Sequence, residues 1–124
     1  MSETEKKQPL FVMAQPETFT WPVKVRVPLR GKYGEAEFMA TFPNMSGAQL
    51  DKLLDGKTAD GKPLSDRELA RRVLMGFEPI PMPDGSTLAF TEENMERLLD
   101  VPRAATAVVG TLIAVCRGVA AEKN

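Results

Sequence analysis

Four groups of residues in this 124-residue chain have the types that chemistry needs, so their spacing decides what they can do. Gly56-Lys57-Thr58 has the letters that close a phosphate-binding loop. Such a loop needs a glycine five residues earlier, between a strand and a helix, so that backbone N–H groups form a cradle. Position 51 is Asp51, and the residues before Gly56 have helical periodicity, so no phosphate site is expected. Glu92, Glu93, Glu96 and Asp100 could be imagined as a carboxylate cluster around a cation. With Arg97 adjacent and no histidine to help, a solvated helix face with an acidic first turn is the better reading. Arg67 and Arg71 lie four apart and share a helix face. With Arg72, Lys57 and Lys62 they make a modest basic patch, suited to an acidic protein partner or to ordinary surface charge near a helix end. Cys116 is the single cysteine; it sits in an apolar run and reads as a small hydrophobe.

The chain has no histidine. That removes Ser-His-Asp and Cys-His nucleophilic sites, and with them the commonest zinc and iron ligand. The remaining carboxylates, lysines and one tyrosine have no spacing that asks for a reaction. No enzymatic activity, cofactor or metal is expected. Sixteen basic residues against seventeen acidic leave a net charge of −1, and the basic residues are scattered, which argues against nucleic-acid binding. The opening Met-Ser-Glu-Thr-Glu-Lys-Lys has no apolar signal core. The longest uncharged apolar stretch, Ala104 to Cys116, is shorter than the roughly 20 residues a membrane-spanning helix needs. A reducing cytoplasmic compartment without membrane association is expected.

The elements that would carry these residues follow from periodicity and capping. Residues 1–17 read as a flexible N-terminal arm with one apolar island, Leu10-Phe11-Val12-Met13, and residues 18–121 as a single α+β domain. Residues 122–124 read as a frayed C-terminus. Trp21, Val23, Val25 and Val27 alternate with Pro22, Lys24 and Arg26, and Ala36, Phe38, Ala40 and Phe42 alternate with Glu35, Glu37, Met39 and Thr41. Two period-2 runs joined by Arg30-Gly31-Lys32-Tyr33-Gly34 predict an antiparallel hairpin. A turn centred near Gly31 and Lys32 places Val25 opposite Phe38 and Arg26 opposite Glu37.

A lone hairpin is marginal in water, so helices must cover its apolar face. Met45-Ser46-Gly47-Ala48-Gln49-Leu50 and Leu64-Ser65-Asp66-Arg67-Glu68-Leu69 both have the capping box and hydrophobic staple of a helix start. Gly56 and Gly76 are the expected stops. Thr91 caps a third helix with Glu92 and Glu93 in its first turn. Between the second and third, alternating prolines at 79, 81 and 83 favour extended chain, and Pro83-Asp84-Gly85 is a turn. Ser86 to Phe90 reads as a short strand or a lead into the third helix. Pro102 fits the first turn of a final helix reaching Ala120. The fold class expected is an N-terminal antiparallel hairpin or small sheet packed against about four α-helices.

Seven methionines suit adaptable surfaces or core filling, with Met45, Met75 and Met95 assigned to the core. Met39, on the polar side of the hairpin, and Met82, in the proline segment, divide evenly between the two uses. The final helix has almost no polar side between Arg103 and Arg117. A helix apolar all round is buried on most sides, here inside the monomer or against a second subunit or partner.

The order and spacing of these segments resemble the tail assembly chaperones of long-tailed bacteriophages. The resemblance covers roughly residues 19–121 and rests on several stretches. They are Phe19-Thr20-Trp21-Pro22-Val23-Lys24-Val25-Arg26-Val27-Pro28, Glu37-Phe38-Met39-Ala40-Thr41-Phe42, Leu69 to Phe77, Pro83-Asp84-Gly85 and Leu88 to Pro102. The family often has a tryptophan after the second helix, where this chain has Phe77-Glu78-Pro79. The resemblance implies a non-enzymatic protein of the host cytoplasm, not part of the mature virion. It implies binding and solubilising the tape measure protein, and recruiting the major tail (tube) protein around it. A homo-oligomer and a longer frameshifted form of the chain are further implied partners, and Glu122-Lys123-Asn124 is compatible with an A-rich slippery run. On this reading Phe77, Ile80, Met82, Val108, Leu112 and Val115 are the candidate partner-binding residues. The alternative is a small structural virion protein, a connector or tail-completion subunit; a small enzyme is a third reading.

Overall fold

The computed structural model describes residues 15–118. The N-terminal arm up to residue 14 with its apolar island, the last residues expected in the final helix, and the C-terminal 122–124 segment lie outside the described residues. Two long strands, β1 (Thr18–Pro28) and β2 (Tyr33–Pro43), form the expected antiparallel hairpin. The register differs from the expected one by two residues. Val23 faces Phe38, Lys24 faces Glu37, Val25 faces Ala36 and Arg26 faces Glu35. The loop is Leu29 to Lys32, closed by the Leu29 N–H on the Lys32 carbonyl at 2.7 Å, with Gly31 at φ 76°. Tyr33 and Gly34 therefore belong to β2 rather than to the turn. Because side chains alternate with period two, a two-residue shift changes every partner but keeps every face. Val23, Val25, Phe38, Ala40 and Phe42 are all buried, and basic residues of β1 still stand opposite acidic residues of β2.

The helix starts form where the caps predict them. α1 (Gly47–Leu54) and α2 (Asp66–Val73) each have a complete capping box, from Ser46 and Gln49 and from Ser65 and Glu68. α3 (Glu92–Leu99) is capped by Thr91, whose hydroxyl accepts the Asn94 N–H at 3.0 Å. α4 (Ala104–Cys116) completes the set and ends short of the expected Ala120, with Arg117 as its C-cap and Gly118 at φ 73°. Two expectations are corrected. Gly76 does not stop α2, which ends at Val73; the chain turns out at Leu74, and Gly76 and Phe77 form β3, a short strand on the far edge of β2. Pro102 is not in the first turn of α4 but two residues before it, with Arg103 between them in a left-handed conformation, φ 72° and ψ −3°. That conformation costs a residue with a Cβ about 1–2 kcal/mol.

The proline segment gives a small second hairpin, β4 (Ile80–Pro81) with β5 (Thr87–Leu88). Its turn has Gly85 at φ 89°, and Asp84 accepts from both the backbone and the hydroxyl of Ser86 at 2.9 and 2.6 Å. α4 lies at the centre of the domain, in contact with β1, α1, α2 and α3. Its Ala104, Val108, Val109 and Leu112 are buried with the inner face of the sheet, Leu50 of α1, Leu69, Ala70 and Val73 of α2, and Met95 and Leu99 of α3. The observed fold is α+β, an antiparallel sheet β1-β2-β3 with four helices.

Candidate partner-binding surfaces

The residues singled out for chemistry are occupied by structural work. The N–H of Gly56 donates to the Leu53 carbonyl at 3.0 Å and that of Thr58 to the Lys62 carbonyl at 2.7 Å. These backbone donors are therefore closed into the α1–α2 loop and make no phosphate cradle. The carboxylates of α3 meet arginines of α2. Arg67 Nη1 donates to Asp100 Oδ1 at 2.7 Å, and its Nη2 to Glu96 Oε1 and to the Glu96 carbonyl, both at 3.2 Å. Arg71 holds Glu96 through two bonds, Nε to Oε2 at 2.5 Å and Nη2 to Oε1 at 3.0 Å. The Arg71 hydrogen bonds, followed by those of Arg67, hold the Glu96 carboxyl below the usual glutamate range. The basic patch and the acidic helix face of the sequence thus neutralise each other in part, leaving Arg72, Lys57 and Lys62 on one side and Glu92 and Glu93 on the other outside these ion pairs. Among the described residues no group of three or more Cys, Asp or Glu could hold a metal ion.

The candidate partner-binding residues divide in two. Phe77, Val108 and Leu112 are core residues at 7%, 0% and 0% exposure and are not displayed on the surface. Phe77 sits edge-on to Phe38 and Phe90, with ring centroids 6.1 and 5.1 Å away. A partner could reach these three only by opening the domain. Ile80, Met82 and Val115 keep partial exposure, the first two with one side packed on the core. The structure brings Ile80 beside Met39 in a shallow, solvent-open groove of about 200 Å³, with Glu37, Phe38, Glu78, Pro79 and Pro81. Val115 lies apart on α4. Of the methionines assigned to the core, Met95 is buried and Met45 half-buried, whereas Met75 is an exposed surface residue at 52%.

The outer side of α4 is a second uncharged surface, made of small residues. Thr106, Gly110 and Ala114 recur every four residues on the side away from the core, and a Cβ added to Gly110 would have nothing within 4 Å. Thr106 is tied to Asp66 Oδ2 at 2.8 Å, and the Thr111 hydroxyl donates back to the Ala107 carbonyl at 2.7 Å. No charged side chain interrupts the helix from Ala104 to Cys116. No single helix among the described residues is long and apolar enough to cross a membrane. α3 and α4 reach that length and composition only together, across a 100° bend.

Sequence reasoning did not find the tip of the long hairpin. There Arg26 lies over the Tyr33 ring at 4.7 Å and Arg103, from the start of α4, lies over the same ring at 5.8 Å. Arg103 Nε also donates to the Arg26 carbonyl at 2.9 Å. The basic, aromatic character of Leu29 to Tyr33 was visible in the sequence; the arrival of Arg103 from 77 positions away was not. No protein-family model, curated protein or solved structure matches the chain.

Proposed function

We propose that this chain is a tail assembly chaperone of long-tailed bacteriophages, acting in the host cytoplasm and left out of the mature virion. It holds the tape measure protein in solution and gives way as tail tube subunits assemble around it. The sequence resemblance set out above supports this reading. The observation that carries it is the uncharged outer side of α4, a helix of thirteen residues with Thr106 and Gly110 exposed and Ala114 and Val115 half-exposed beside them. A surface of small apolar residues lets a second helix approach closely without a deep pocket, so each contact is weak and replaceable. The shallow groove at Met39 and Ile80 has the same adaptable character.

The test is co-expression with the tape measure protein of the same phage, followed by size-exclusion chromatography. The expected result is a soluble tape measure protein that co-elutes with this chain. Gly110→Glu, at an exposed position where a Cβ meets nothing within 4 Å, is expected to abolish co-elution without lowering the melting temperature of the free protein. If the tape measure protein precipitates and this chain elutes alone, the proposal fails. Finding the chain in purified virions would favour a connector or tail-completion subunit instead.

A further inference from the structure

The tip of the long hairpin concentrates positive charge that the described part of the protein does not neutralise. Arg26, Arg30, Lys32 and Arg103 form no ion pair among the described residues, although Glu35 stands opposite Arg26 in the register. Two guanidinium groups converge on one phenol ring that is itself 56% exposed. Like charges repel, yet Arg103 is held at the tip by its bond to the Arg26 carbonyl, from a left-handed backbone at φ 72°. Leu29, also 56% exposed, supplies an apolar contact at the same tip.

We propose that this tip is a docking site for an acidic protein segment, its carboxylates taken by Arg26 and Arg103 and an apolar side chain resting on Leu29 and Tyr33. Planar guanidinium groups already oriented by a ring and by a backbone carbonyl lose little freedom when they grip a carboxylate with two parallel hydrogen bonds. Arg30 and Lys32 add attraction at longer range and speed the encounter. Nucleic acid is a poorer match. The chain's net charge is −1, and a few basic residues at one tip make no extended stripe for a phosphate backbone to follow. The tip adjoins the start of α4, but its test reads affinity for an acidic peptide and not solubility of the tape measure protein, so it stands or falls independently of the chaperone reading.

The test uses the full chain and three fluorescein-labelled probes: a short peptide of Glu-Glu-Leu repeats, the same peptide with Gln for Glu, and a single-stranded RNA of equal charge. Anisotropy gives affinity, and amide chemical shifts give the location. The Glu-Leu peptide is expected to bind with shifts confined to residues 26–35 and Arg103, weakening as salt is raised, while the Gln peptide does not bind. Asn accepts a left-handed backbone, so Arg103→Asn keeps the fold, which a melting curve verifies. Combined with Arg26→Gln it is expected to weaken peptide binding about tenfold or more. Absence of binding by the Glu-Leu peptide, unchanged affinity in the double variant, shifts elsewhere on the protein, or tighter binding of RNA would each overturn the proposal.

Discussion

Arg67 and Asp100 lie 33 positions apart and meet at 2.7 Å, so that α2 and α3 are clipped together at the surface as well as packed in the core. Glu96, one helical turn before Asp100, is the shared acceptor for Arg67 and Arg71.

Glu96→Gln is expected to lower the melting temperature at neutral pH, by a small amount because the pairs are partly exposed. The pH dependence has a definite sign. The Glu96 carboxyl is held below its unfolded value of 4.5 by Arg71 and Arg67, so its contribution is present above that pH. It is lost as pH falls through the lower folded value. The difference between native and variant melting curves should therefore be constant from pH 8 to about 5 and close in more acid solution. A difference that grew with acidity would refute the assignment.

The two capping boxes make separable contributions. Ser65→Ala removes the acceptor of the Glu68 N–H and is expected to cost about 1 kcal/mol in urea unfolding. Ser46→Ala should cost a similar amount through the Gln49 N–H. Their sum should hold in the double variant, because the two caps share no partner.

The two sides of α4 should respond oppositely to changes of one or a few methyl groups. Leu112→Ala opens a hole in a fully buried site and is expected to cost about 2–5 kcal/mol. Gly110→Ala meets nothing within 4 Å and should instead stabilise by about 0.5–1 kcal/mol through helix propensity. Chemical denaturation of the two variants side by side checks both signs.

Gly85 turns the β4–β5 hairpin at φ 89°, a conformation closed to most side chains. Gly85→Ala is expected to destabilise by about 1 kcal/mol or more, although a Cβ there would touch nothing. Backbone strain alone would account for the loss, which equilibrium unfolding would measure.

Local rules were readable because each involves residues a few positions apart. Ser46, Ser65 and Thr91 announced three helices through contacts spanning three residues. The faces of the long hairpin were legible for the same reason, since alternation fixes which side chains point inward. Its register was not, because the loop from Leu29 to Lys32 admits more than one centre and a two-residue slip leaves the pattern intact. Long-range pairings left no local mark. Nothing near Arg71 in the chain signals Glu96, and nothing near Phe77 signals that β2 would take it as an edge partner and bury it. For the same reason the sequence placed Val108 and Leu112 among partner-binding residues. An all-apolar helix shows no polarity from which its inward side can be read, and only the packing distinguishes Leu112 from Gly110.

The central position of α4 has a consequence for the order of synthesis. Of the described elements it is the last that a ribosome delivers, yet β1 and α2 both pack against it. The long hairpin can close within microseconds of emerging, while translation to Leu112 takes on the order of seconds more. During that interval β1, with Val23 and Val25 on its inner face, has no α4 to cover it. A nascent chain arrested inside α4 would thus be an open, adhesive intermediate rather than a slightly shortened domain.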